Sequence, residues 1–129
     1  MKLLNQGELA KLVFVARLKT LLTKVKSLHR RDRYRLYMSM MGTDEFVVDG
    51  TDWAHTLHRM VAGSHNIASY DKRIATLEGE LKQSSGLDDE GLAAAWKEAY
   101  QKDNHLLDPV LDLVHRKIEE FYAYAGRPD

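Results

Sequence analysis

Apolar residues recur along this chain at the period of an α-helix, and this feature restricts its fold most strongly. Near the N-terminus they alternate in steps of four and three residues, at Phe14, Leu18, Leu21, Val25 and Leu28. Such spacing lines side chains along one face of a helix. Only two prolines occur in 129 residues, and no strand-length alternation of apolar and polar residues is clear. The sequence therefore predicts an all-α fold.

The helical pattern predicts five helices, two of them long. The long helices are expected at about 8–29 and 52–82, and shorter ones at about 33–41, 88–103 and 109–125. Asn5 and Glu8 have the spacing of a capping box before the first helix. Gly63 lies inside the third helix, where glycine costs about 1 kcal/mol relative to alanine, and it indicates a close backbone approach or a kink. Residues 42–51 are predicted to form a loop.

A second apolar series, with a repeat of seven residues, runs through the third helix. Its members are Trp53, Met60, Ile67, Ile74 and Leu81. Together with the stripe on the first helix, it predicts a compact helical bundle that forms a single domain over residues 1–129. Repeats of seven residues are also typical of helices that associate between chains, so a homo-oligomer is compatible with the pattern.

The composition favours a cytoplasmic protein. The chain has no cysteine, which excludes disulfides and thiolate metal sites and is typical of a reducing compartment. Its N-terminal residues contain no apolar run of signal-peptide length, and no stretch is long enough to span a membrane. We therefore expect cytoplasmic localisation and no membrane partner.

Positive charge is concentrated at one end of the chain. Residues 1–35 contain ten Lys or Arg against Glu8 and Asp32, so they carry a net charge of +8, and the remaining 94 residues carry −8. This separation predicts a nucleic acid or an acidic protein surface as partner, with Tyr34 and Tyr37 available for stacking. The candidate binding residues are Arg17, Lys24, Lys26, Arg30, Arg31, Arg33 and Arg35. Alternatively, these charges face the acidic remainder of the same fold or of a second copy.

No established catalytic or metal-binding motif is evident, so a non-enzymatic binding or assembly module without cofactors is the favoured interpretation. Three histidines, His55, His58 and His65, are expected on the third helix, facing away from its apolar stripe. A stable zinc site would need further ligands from another helix, and the sequence offers no paired motif that supplies them. We therefore predict no metal site.

One alternative function comes from the segment around His58. The run Leu57–Ala68, followed by Leu77 and Glu78, resembles the motif of histidine phosphotransfer domains. Those domains are four-helix bundles in which an exposed helical histidine takes phosphate from a response regulator. The resemblance implies that His58 carries the phosphoryl group, with Ala62 leaving room one turn later and Arg59 and Lys72 as cations. The lysine and glycine usual in that family, three and four residues after the histidine, are Val61 and Ala62 here.

A further alternative is cleavage of RNA. Arg59 and His65, with five residues between them, resemble the arginine–histidine pair of the HEPN ribonucleases, which are helical proteins. The resemblance implies that His65 activates a ribose 2′-hydroxyl while Arg59 stabilises the charge that develops on the phosphate. That family often places an asparagine after the arginine, where this chain has Met60.

Overall fold

The computed structural model describes residues 4–40 and 45–125, and within these ranges the chain forms six helices and one short hairpin. Their bounds are α1 (Gln6–Ser27), α2 (Arg30–Ser39), β1 (Val47–Val48), β2 (Thr51–Asp52), α3 (Trp53–Val61), α4 (Ser64–Ser85), α5 (Asp89–Lys102) and α6 (Asp108–Ala125). The predicted all-α helical bundle is confirmed. The predicted count of five helices is wrong, because the expected third helix is two helices, α3 and α4.

The capping box predicted before α1 is present. The backbone N–H of Glu8 donates to Asn5 Oδ1 at 2.8 Å, and the backbone N–H of Asn5 donates to Glu8 Oε1 at 3.1 Å. These bonds satisfy two donors at the helix start that have no partner within the helix. Extended backbone at Leu28 ends α1, and α2 begins at Arg30, three residues earlier than predicted. Gly42, which could cap α2, lies outside the described residues.

The predicted loop contains a β-hairpin. Val47 pairs with Asp52 and Val48 with Thr51, so only two residues form the turn. These are Asp49 and Gly50, whose φ angles are 51° and 80°. Positive φ at both central residues is the property of the type I′ turn, which matches the twist of the flanking strands and favours Asp-Gly. The hairpin leads directly into α3, whose N-terminus is capped by the side chain of Asp52.

The expected helix over 52–82 breaks at Ala62 and Gly63. Gly63 is extended, with φ 171° and ψ 158°, so the helical hydrogen-bond ladder cannot continue through it. The carbonyl oxygen of Arg59, in the last turn of α3, accepts from the side-chain amide of Asn66 at 2.7 Å and from the backbone N–H of Ala62 at 3.3 Å. After the break, α4 runs to Ser85, and Gly86 ends it in the left-handed conformation at φ 74°.

The core lies mainly between α1, α3, α4 and α6, and α2 with its C-cap contributes Leu36 and Met40 to it. All five members of the predicted series from Trp53 to Leu81 are buried in spite of the break, and so are Leu18, Leu21 and Val25 of α1. Among the described side chains of helix α6, four are buried, namely Val110, Leu113, Val114 and Phe121. Helix α5 is peripheral, since Leu92 is the only buried residue of its described length. None of the described helices is both long enough and apolar enough to cross a membrane.

Candidate functional site

The first residue of the predicted binding set, Arg17, is part of the core. Its side chain is only 6% exposed. The Nε–H donates to the carbonyl oxygen of Leu106 at 2.9 Å, and Nη1 donates to Asp49 Oδ2 at 2.7 Å. Arg17 therefore ties α1 to both the hairpin turn and the segment before α6, and its guanidinium is not presented to a partner.

One side of α1 is neutralised by α4. Lys11 pairs with Glu80, Lys19 with Glu78 and Lys26 with Asp71, at N–O distances of 3.1, 3.1 and 2.7 Å. The residue numbers of the α4 partners decrease as those of the lysines increase, so the two helices run antiparallel. Each pair is partly exposed and should contribute only about 0–1 kcal/mol to stability. Lys26, a predicted binding residue, thus has a carboxylate partner within the fold.

Arg33 is also used inside the fold. Its Nε–H donates to the carbonyl oxygen of Val25 at 2.8 Å, and Nη2 donates to that of Lys26 at 2.9 Å. These carbonyls lie in the last turn of α1, where the helix dipole is negative, and that of Val25 also accepts from the backbone N–H of Leu28 at 3.1 Å. Arg33 therefore fixes the junction between α1 and α2 and is not available as a free cation.

The remaining arginines of the set lie together on one surface of α2. We call this surface the α2 outer face, and it consists of Arg30, Arg31, Tyr34, Arg35 and Met38, all of which are exposed. At about 100° per residue, these five positions cover an arc of about 140°, and the arc is opposite the buried Leu36. Among the described residues, none of the three arginines forms an ion pair.

Lys24 is exposed but lies apart from the α2 outer face. It is on α1, beside a groove that α1 forms with Leu111, Val114 and His115 of α6. The described carboxylates form no ion pair with it. The seven predicted cations therefore form three groups. Three lie on the α2 outer face, namely Arg30, Arg31 and Arg35. Lys24 is exposed elsewhere, and Arg17, Lys26 and Arg33 bond to groups of the fold itself.

The inner side of α2 is anchored by packing and by aromatic contacts. Leu36 and Met40 are buried in the core. The ring of Tyr37 stacks on His58 of α3, with 4.5 Å between centroids and 23° between planes. The Tyr34 ring lies next to Tyr37, at 6.4 Å and 31°. A row of three rings therefore leads from the α2 outer face to α3 and supports the exposed tyrosine.

His58, the residue predicted to carry a phosphoryl group, is half-buried beneath Tyr37. Arg59 and Lys72 are exposed, and Ala62 follows the last residue of α3. The helix that carries His58 is nine residues long. No phosphate-binding arrangement around this ring is evident among the described residues, and phosphotransfer through His58 stays a prediction.

The predicted ribonuclease pair is divided by the helix break. Arg59 lies near the end of α3, whereas His65 is the second residue of α4. Both side chains are exposed, and within the described part of the chain no hydrogen bond joins them. RNA cleavage by Arg59 and His65 stays a prediction. The described residues also contain no group of three or more His, Asp or Glu that could hold a metal ion.

Two side chains with raised pKa values, His105 and Lys82, lie away from the α2 outer face. A hydrogen bond to Asp108, with 2.5 Å between Nδ1 and Oδ2, raises the pKa of His105. The same kind of contact with Asp89 raises the pKa of Lys82. Each pair joins a side chain to a carboxylate in the first turn of a helix, α6 or α5. These pairs belong to helix ends and are exposed to solvent.

Met38 is the member of the α2 outer face that the sequence interpretation missed. The signal was present, since Arg30, Tyr34 and Met38 follow one another at intervals of four and so share a helical face. The sequence interpretation did not group these residues, because it placed the start of α2 at residue 33 and so left Arg30 and Arg31 outside the helix. Comparison with protein-family models, curated protein sequences and solved structures gives no significant match to this chain.

Proposed function

We propose that the protein is a non-enzymatic binding module that uses the α2 outer face to engage a nucleic acid or an acidic protein surface. The single observation that carries the proposal is the contrast between two groups of cations. Lys11, Lys19 and Lys26 have carboxylate partners on α4, whereas three arginines on α2 have none among the described residues. Unpaired cations gathered on one surface attract polyanions and accelerate their association.

The type of cation supports an anionic partner. A guanidinium group is planar, stays charged at any physiological pH and donates in a fork that matches the oxygens of phosphates and carboxylates. Arg31 and Arg35 are one helical turn apart, which is about 6 Å along the axis. The carbonyl contacts of Arg33 and the burial of Leu36 hold this turn in place, so little ordering would accompany binding.

The test compares two triple variants that remove the same number of positive charges. Arg30→Gln/Arg31→Gln/Arg35→Gln changes the α2 outer face, and Lys11→Gln/Lys19→Gln/Lys82→Gln changes three lysines that are paired with carboxylates. Binding of labelled single-stranded DNA, RNA and an acidic polypeptide is measured by fluorescence anisotropy from about 50 to 200 mM salt.

We expect wild type to bind at least one of these polyanions at low salt and to lose affinity as salt rises. The arginine variant should lose most of this affinity, and its salt slope should fall by about two to three. The lysine variant should bind nearly as wild type does. Equal losses in the two variants, or no binding by wild type at low salt, would refute the proposal.

A further inference from the structure

Tyr34 has the most exposed large hydrophobic side chain among the described residues. It is 64% exposed, and Met38, one turn later on the same face, is 48% exposed. Arg30 and Arg31, four and three residues earlier, lie on either side of Tyr34 around the helix. The α2 outer face therefore presents an aromatic ring between cations, a combination that simple attraction to a charged partner does not require.

The ring is also held in place from behind. Tyr34 lies beside Tyr37, and Tyr37 stacks on His58, so the exposed ring is continuous with a packed row of rings. A supported ring loses little conformational freedom when a second flat group stacks on it. Aromatic rings beside cations are the means by which proteins hold single-stranded nucleic acids, because every base offers a π-face and every phosphate a negative charge.

We infer that the partner of the α2 outer face is a single-stranded nucleic acid, with a base stacked on Tyr34 and the adjacent phosphates bound by Arg30, Arg31 and Arg35. This inference rests on the proposed function and names its ligand. A duplex fits less well, since its bases are already stacked on one another and present only their edges. An acidic protein would use the arginines but offers no series of flat rings to Tyr34.

The experiment separates stacking from charge. Anisotropy titrations use oligothymidylate, oligouridylate, an abasic strand of the same length that keeps the phosphates, a duplex and poly-glutamate. The proteins are wild type, Tyr34→Ala, Tyr34→Phe and the arginine triple variant. Tyr100→Ala is the matched control, because Tyr100 is an exposed tyrosine on a different helix, α5. Thermal melts establish that each variant is folded.

Tyr34→Ala should weaken binding of the two base-containing single strands about tenfold, within the range of about five- to 150-fold expected for one stacked base. Tyr34→Phe and Tyr100→Ala should bind as wild type does. The abasic strand should bind wild type and Tyr34→Ala equally, and the salt slope should not change. Preference of oligothymidylate over oligouridylate, or the reverse, identifies DNA or RNA as the tighter ligand, and either result supports the inference.

Other outcomes overturn the inference and leave the proposed function standing. The first is salt-dependent binding that the arginine triple variant abolishes and that Tyr34→Ala leaves unchanged. The second is tighter binding of the duplex than of the single strands. The third is binding of poly-glutamate and of no nucleic acid. Absence of binding by wild type to every probe at low salt overturns the inference and the proposed function together.

Discussion

At the scale of single residues, Arg17 shows how a cation predicted to bind a partner is used within the fold instead. Its guanidinium bonds to Asp49 and to the carbonyl oxygen of Leu106, and the whole residue is buried. The sequence places Arg17 in the basic segment, but the two groups that bind it are 32 and 89 residues away. Local spacing cannot reveal partners at that separation.

Replacing Arg17 should therefore reduce stability. Arg17→Met keeps an apolar side chain of similar reach but removes both hydrogen bonds, and we expect the free energy of unfolding to fall by about 1.5–3 kcal/mol. The exposed Asp49 can be rehydrated, whereas the Leu106 carbonyl loses its donor. Urea denaturation measures the change, with Lys24→Met as control, for which a change within about 0.5 kcal/mol is expected at an exposed position. Equal effects of the two substitutions would contradict the structural role of Arg17.

His105 provides a pH-dependent contact at the start of α6. Its pKa is raised from the usual value of 6.5 by the hydrogen bond to Asp108 and by the charge of that carboxylate. The protonated form is thus favoured in the folded state. The resulting stabilisation is fully present below pH 6.5, the ordinary pKa, and is lost as the pH rises through the higher folded-state pKa.

An NMR titration of the His105 ring should give a pKa above 6.5. Asp108→Asn should lower this pKa towards that value, while Asp112→Asn, which changes an exposed carboxylate on the same helix, should leave it unchanged. The stability difference between wild type and His105→Gln should be largest in mildly acidic solution and disappear at alkaline pH. A His105 pKa at or below 6.5 in wild type would show that the contact with Asp108 does not form.

At the scale of helices and strands, the sequence predicted the helices but neither the hairpin nor the division of the third helix into α3 and α4. The capping box of α1 is a local feature, so its two residues suffice to predict it. The hairpin was missed because strands of two residues show no periodicity, although Asp49-Gly50 after two valines is a strong turn signal. At Gly63 the sequence predicted a close backbone approach or a kink but not the end of a helix, because a cost of about 1 kcal/mol is too small to end a helix by itself.

Two glycines should respond in opposite directions to the same added methyl group. Gly50 has φ of 80° and Gly79 is inside α4, and a Cβ would meet no atom within 4 Å at either position. Gly50→Ala should destabilise the protein by about 1 kcal/mol, because alanine disfavours positive φ. Gly79→Ala should stabilise it by about 0.4–1 kcal/mol through higher helix propensity. Thermal unfolding measures both, and destabilisation by both substitutions would contradict these backbone conformations.

At the scale of the whole molecule, the charge separation along the sequence is only partly a separation in space. The fold places α1 antiparallel to α4, so that Lys11, Lys19 and Lys26 meet carboxylates. The sequence could show that residues 1–35 are basic, but which of those cations stay unpaired depends on helix packing. Of the seven cations in the predicted basic surface, only Arg30, Arg31 and Arg35 share one exposed face, and Lys24 lies apart from them.

The α2 outer face is the surface that we propose a polyanion contacts. A titration of the ¹⁵N-labelled protein with oligothymidylate, followed by NMR at low salt, tests this proposal. We expect amide shifts to concentrate in residues 30–38, with much smaller changes along the paired lysines of α1 and the helix α5. Shifts centred on another surface, or none at saturating oligonucleotide, would contradict it.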